Sequence, residues 1–135
     1  MKITKIFVCS IMTGIMFLFF DMLIAILTNQ IYSPHTNLPI WKIPPNISAG
    51  IVFDLINGFI LVYVYLMISR GIPGSGWRKG LNYGIIVGLF RVAMAAFSTV
   101  VMYDVPIILV ITSLITGYIE IVVLCIMVAV ICERS

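Results

Sequence analysis

Asp21, Asp54, Arg91 and Glu120 each interrupt a different stretch of sequence that is otherwise apolar enough to cross a membrane. A charge near mid-bilayer costs roughly a few kcal/mol or more unless it meets a partner or water, so one such residue per stretch predicts convergence in a shared interior. The chemistry open to these residue types is narrow. Arg91 stays protonated and can hold a carboxylate bidentately, or serve as an anion contact or counter-ion. Three carboxylates against one guanidinium leave a formal excess of 3 − 1 = 2 negative charges, which an apolar interior does not tolerate. At least one acid is therefore expected to hold a proton. A proton relay needs such an acid, and a buried structural hydrogen bond uses one too. Asn57 and Thr116 add hydrogen-bonding groups on the second and fourth stretches.

Other chemistry finds little support. No serine, cysteine or histidine is paired with these acids in a nucleophile motif, so the chain is read as not an enzyme. Cys9, Cys125 and Cys132 all fall in apolar stretches without a CxxC spacing, and read as small packing residues. His35 is the single histidine; its loop holds no Cys, Asp or Glu, and one histidine excludes bis-histidine haem within one chain. No metal site and no cofactor is expected.

The elements that must position the four charges follow from composition. With 62% hydrophobic and 10% charged residues and a mean hydropathy of +1.21, the 135-residue chain is too apolar for a soluble domain. Four apolar stretches, about 6–27, 47–68, 81–102 and 106–131, each approach the roughly 20 residues that span a bilayer. The fold class is therefore all-α: an integral membrane bundle of four transmembrane helices forming a single domain over 1–135. The loops are too short to hide a catalytic or nucleic-acid-binding module. The first stretch is too long for a signal peptide and lacks a small-x-small cleavage site, so it reads as an uncleaved helix.

Basic residues set the expected orientation. Lys2, Lys5, Arg70, Arg78, Lys79 and Arg134 fall on the side of the termini and the middle loop, against Lys42 alone on the other, so both termini are expected in the cytoplasm of a bacterial-type plasma membrane. Trp41 beside Lys42 reads as an interfacial anchor, with Asn46 or Ser48 capping the second helix. The glycine- and proline-rich middle loop, from Ser69 to Gly80, lacks phosphate-loop spacing and reads as a tight turn back into the membrane.

An internal repeat is expected as well. Leu55-Ile56-Asn57-Gly58-Phe59-Ile60 matches Leu114-Ile115-Thr116-Gly117-Tyr118-Ile119, and Gly14, Asp21 and Ala25 align with Gly84, Arg91 and Ala95. A parallel duplication of a helical hairpin follows, with a pseudo-twofold along the membrane normal. It places Asp21 and Arg91 at equivalent positions as a self-complementary pair, and leaves Asp54 and Glu120 as the stronger functional candidates. Gly80, Gly84 and Gly88 form a small-xxx-small track that packs a helix closely, within the bundle or against another copy.

These readings converge on a small multi-pass membrane protein of transport or channel type with an intramembrane polar site. Its expected partners are the lipid bilayer, a second copy of the chain or another membrane protein, and a small ion or proton, with no nucleic acid. The alternative is a non-catalytic accessory or assembly subunit of a larger membrane complex, whose charges act as clamps, with Arg91 joined to Asp21 or Glu120 between helices.

Overall fold

Long apolar runs leave the backbone one economical way to satisfy its amides inside lipid, which is to close every hydrogen bond within the same segment. The computed structural model describes residues 3–39 and 45–134 and is 88% helical, with no strand among the described residues. Helix α1 spans Ile3–Tyr32, α2 Ile47–Ile68, α3 Trp77–Met102 and α4 Ile107–Arg134. All four are long and apolar enough to cross a membrane, and their exteriors are apolar around the circumference: Phe19, Met22 and Ile26 on α1, and Phe90, Met94 and Phe97 on α3, are exposed. The chain is a multi-pass membrane protein that offers these faces to lipid.

The helix α2 has the expected bounds, because Asn46 caps it by accepting from the Ala49 amide at 3.1 Å. The others outrun their apolar stretches. At 1.5 Å per residue, α1 with its 30 residues is about 45 Å long, so it tilts or projects beyond a hydrocarbon core of about 30 Å. Hydropathy locates the lipid core and not the helix ends, and nothing breaks α1 before the short 3₁₀ turn at Ser33–His35. The expected anchor at Trp41 and Lys42 lies outside the described residues. Helix α3 starts directly after Gly76, whose φ of +55° favours glycine, and the preceding Gly74 has φ +101°.

The helices pair as α1 on α2 and α3 on α4, and the two hairpins join chiefly through α1 and α4. Small residues set these distances. A Cβ placed on Gly58 would fall 2.7 Å from the Cα of Gly14 and 2.9 Å from the Ser10 carbonyl oxygen. On α3, a Cβ at Gly80 would lie 2.5 Å from the Cα of Ile126, one at Gly84 2.8 Å from that of Val122, and one at Gly88 2.7 Å from the Tyr118 ring. The glycine track is thus occupied by α4 of the same chain, and gives no face for a second copy. The positions matched by the sequence repeat do not make matching contacts: Gly14 meets Gly58, whereas Gly84 meets Val122 and Gly117 faces the Arg91 guanidinium.

Packing differs between the two ends of the bundle. Toward the base, the end with the termini and the α2–α3 connection, Val62, Tyr65, Tyr83, Leu124, Cys125 and Val128 are fully buried. Tyr83 donates to the Leu61 carbonyl at 2.8 Å and its ring lies 5.3 Å from that of Tyr65, which ties α3 to α2. Glu133, near the end of α4, accepts from the Gly76 amide, from Tyr65 Oη at 3.3 Å and from Lys79 Nζ at 3.4 Å. Toward the other end, the mouth, few side chains are buried. Along their whole length α1 and α3 make no extended contact with each other.

Candidate intramembrane polar site

The mouth half holds an open cavity of about 420 Å³ between α1, α3 and α4. Helix α1 contributes Asp21, Ile24, Ala25 and Thr28; α3 contributes Arg91; α4 contributes Ser113, Thr116, Gly117 and Glu120. Asn29 and Tyr32 stand at the mouth, where Tyr32 Oη reaches the Leu109 carbonyl at 3.5 Å. Asp21 and Arg91 lie 11 residues inside the mouth ends of their helices and Glu120 13 residues inside that of α4, or about 17–20 Å deep. The charged layer is therefore near the middle of the span.

Its geometry is specific. Arg91 Nη1 stands 3.7 Å from Glu120 Oε2, joining α3 to α4. The guanidinium lies over Gly117, where a Cβ would sit 3.7 Å from Arg91 Cζ, so the small residue opens the floor to it. Glu120 is 3% exposed and its Oε1 has no hydrogen-bond partner among the described residues. Asp21 acts electrostatically on both Asp54 and Glu120, and Arg91 acts on both as well, so the four charges form one cluster. Asp54 belongs to that cluster without lining the cavity. Thr28 donates its hydroxyl proton to the Ile24 carbonyl at 2.7 Å, and Thr116 to that of Thr112 at 2.8 Å. Each then presents only lone pairs elsewhere.

The structure changes several assignments made from sequence. Of the two partners open to Arg91 from sequence, Asp21 and Glu120, the ion pair is with Glu120; the repeat counterpart Asp21 lines the same cavity, so setting Asp21 and Arg91 apart from Glu120 does not describe the site. The reason is packing: Gly84 and Gly88 bring α3 against α4, while α1 and α3 stay apart. Asn57 is exposed and away from the cavity, because Gly58 turns the adjoining face of α2 toward α1. Thr116 does line it. Sequence reasoning missed Asn29, Tyr32 and Ser113, which carry no signal beyond their helical phase, and Gly117, whose role depends on where the Arg91 side chain lies. Ala25 and Thr28 share the helical stripe of Asp21 and were open to prediction.

Comparison of the chain with protein-family models, with curated proteins and with solved structures finds no match. The site's own chemistry carries the functional reading.

Proposed function

We propose that this is a small transport or channel-type membrane protein in which the clustered acids and Arg91 handle a small ion or proton. One observation carries the reading: a cavity of about 420 Å³ lined by Asp21, Arg91 and Glu120 reaches from the mouth to mid-span. Ionisable residues at that depth are costly, and water-filled cavities that admit a solute are the usual setting in which they persist. Further support comes from the sealed base beneath the cavity, since a route opened at one end and closed by packing at the other is what a gated pathway needs. The basic residues Lys5, Arg70, Arg78 and Lys79 cluster at that base, so the termini are assigned to the cytoplasm and the mouth to the outside. We read the chain as a single domain without enzymatic activity.

The competing reading is an accessory subunit whose charges serve as clamps, and the Arg91–Glu120 ion pair between α3 and α4 favours it. Those two helices, however, already interlock through Gly80, Gly84 and Gly88, so a clamp there adds little. Neutral replacements separate the two. Purified protein in liposomes carrying Asp21→Asn, Asp54→Asn, Glu120→Gln or Arg91→Gln is expected to lose proton or ion flux or its pH dependence. Unchanged flux in all four would remove the transport reading, and loss of assembly alone would favour the clamp.

A further inference from the structure

The charges open to the cavity are fewer than those of the cluster, and we infer that it receives a small zwitterion of the amino-carboxylate class. Its binding stands apart from the transport reading, on which only its passage across the membrane rests. Three charged residues line the cavity, and two of them are open to it. Asp21 on α1 is exposed and the Arg91 side chain on α3 is 46% exposed, whereas the Glu120 side chain is 2% exposed. Charges at that depth are not held bare against lipid, so the open surface of both belongs to the cavity. One wall thus presents an acid and the other a guanidinium, with α4 between them. Arg91 makes no hydrogen bond among the described residues, since its contact with Glu120, at 3.7 Å, is longer than one. A guanidinium carries five N–H donors in a fork that matches a carboxylate.

The charge balance of the cluster points the same way. Asp21 makes side-chain hydrogen bonds to both Asp54 and Glu120. Two carboxyl groups hydrogen-bond only through a shared proton, because ionised carboxylates are acceptors alone. Two such bonds hold two protons, which leaves 3 − 2 = 1 negative charge against the single guanidinium. The cluster is then neutral overall but dipolar across the cavity, and a ligand that is itself neutral and dipolar leaves that balance undisturbed. A lone cation or a lone anion would add an uncompensated charge at mid-span, which is costly there. The rest of the lining serves either end of such a ligand: Asn29 offers amide donors and a carbonyl acceptor, Ser113 a hydroxyl, and Thr28 and Thr116 hydroxyl oxygens. At Gly117 a Cβ would stand 3.7 Å from Arg91 Cζ, 3.8 Å from Nη2 and 3.9 Å from Nε, so the missing side chain leaves that edge of the fork uncovered from α4. The volume of about 420 Å³ lies toward the small end of ligand cavities and suits a solute of this size.

Calorimetric titration of the full-length protein in nonionic micelles tests the assignment, with glycine and γ-aminobutyrate as zwitterions and n-propylammonium and propionate as their separate halves, alongside flux of the same solutes and of rubidium into proteoliposomes. At least one zwitterion is expected to bind saturably, with propylammonium and propionate each at least tenfold weaker. Arg91→Lys, which keeps the charge but not the fork, and Asp21→Asn are each expected to weaken zwitterion binding at least tenfold. Binding of either half as tight as that of the better zwitterion, or no saturable binding of either zwitterion, overturns the assignment on wild-type protein alone, whatever the variants do. Unchanged zwitterion affinity in both variants overturns it as well, since its two ends would then lie elsewhere. Zwitterion binding without flux of any solute upholds the assignment and overturns transport. Flux of rubidium without zwitterion binding does the reverse.

Discussion

Replacing Gly58 by alanine tests the central packing claim, that α1 and α2 approach through backbone rather than side chains. The added Cβ would fall 2.7 Å from the Cα of Gly14 and 2.9 Å from the Ser10 carbonyl oxygen, and neither atom can swing aside. The Gly14 amide nitrogen lies nearer still, and carbon atoms pack best at about 3.5 Å, so the two helices must part by at least about 0.8 Å along this seam. A gap of that size forfeits roughly a quarter to a half of the dispersion attraction of each contact, and overpacking of this kind costs about 1–3 kcal/mol. Alanine's better helix propensity returns at most about 1 kcal/mol. The net expectation is a loss of about 1–2 kcal/mol. Gly50→Ala, on the same helix with nothing within 4 Å of the new Cβ, is the matched control and should be neutral or slightly stabilising. Reversible unfolding in mixed micelles, driven by sodium dodecyl sulfate and followed by circular dichroism, reads both. If Gly58→Ala proves as stable as Gly50→Ala, the helices do not approach as described.

Three further outcomes are expected. Gly84→Ala should cost more than Gly88→Ala in the same assay, because the first meets the Val122 backbone at 2.8 Å and the second the edge of the Tyr118 ring, which can turn; the reverse order would deny the backbone contact. Tyr83→Phe removes the buried hydroxyl that donates to the Leu61 carbonyl and should destabilise by about 1 kcal/mol, without a change in helix content. Glu133→Gln weakens the latch that holds Gly76, Lys79 and Tyr65, and its partial exposure limits the effect to about 1 kcal/mol. Hydrogen exchange of the Gly76 amide should accelerate in that variant, and an unchanged rate would show that the carboxylate does not hold it.

How much of this was legible beforehand depended on the kind of constraint. Membrane placement, helix number and the identity of the four charged residues follow from composition, because the cost of burying backbone and charge in lipid is local and applies residue by residue. The stripe joining Asp21, Ala25 and Thr28 is also local, since helical phase alone puts them on one face. The glycine track was visible as a packing signal, but its partner was not: spacing says that something approaches closely, and only the fold shows that it is α4.

Pairing across helices is where the sequence stopped. The apolar matches between the two hairpins suggested that Arg91 and Asp21 meet as equivalents, yet Arg91 reaches Glu120, and Asn57 lies away from the cavity that Thr116 lines. Such outcomes depend on the rotation of each helix about its own axis and on which pairs come into contact, quantities summed from many weak side-chain contacts. A cavity is likewise a product of where packing fails. Sequence alone determined that four charges fall within membrane-spanning stretches; the packing of α4 against both α1 and α3, which make no extended contact with each other, decided that Asp21, Arg91 and Glu120 line one open cleft and that Asp54 does not.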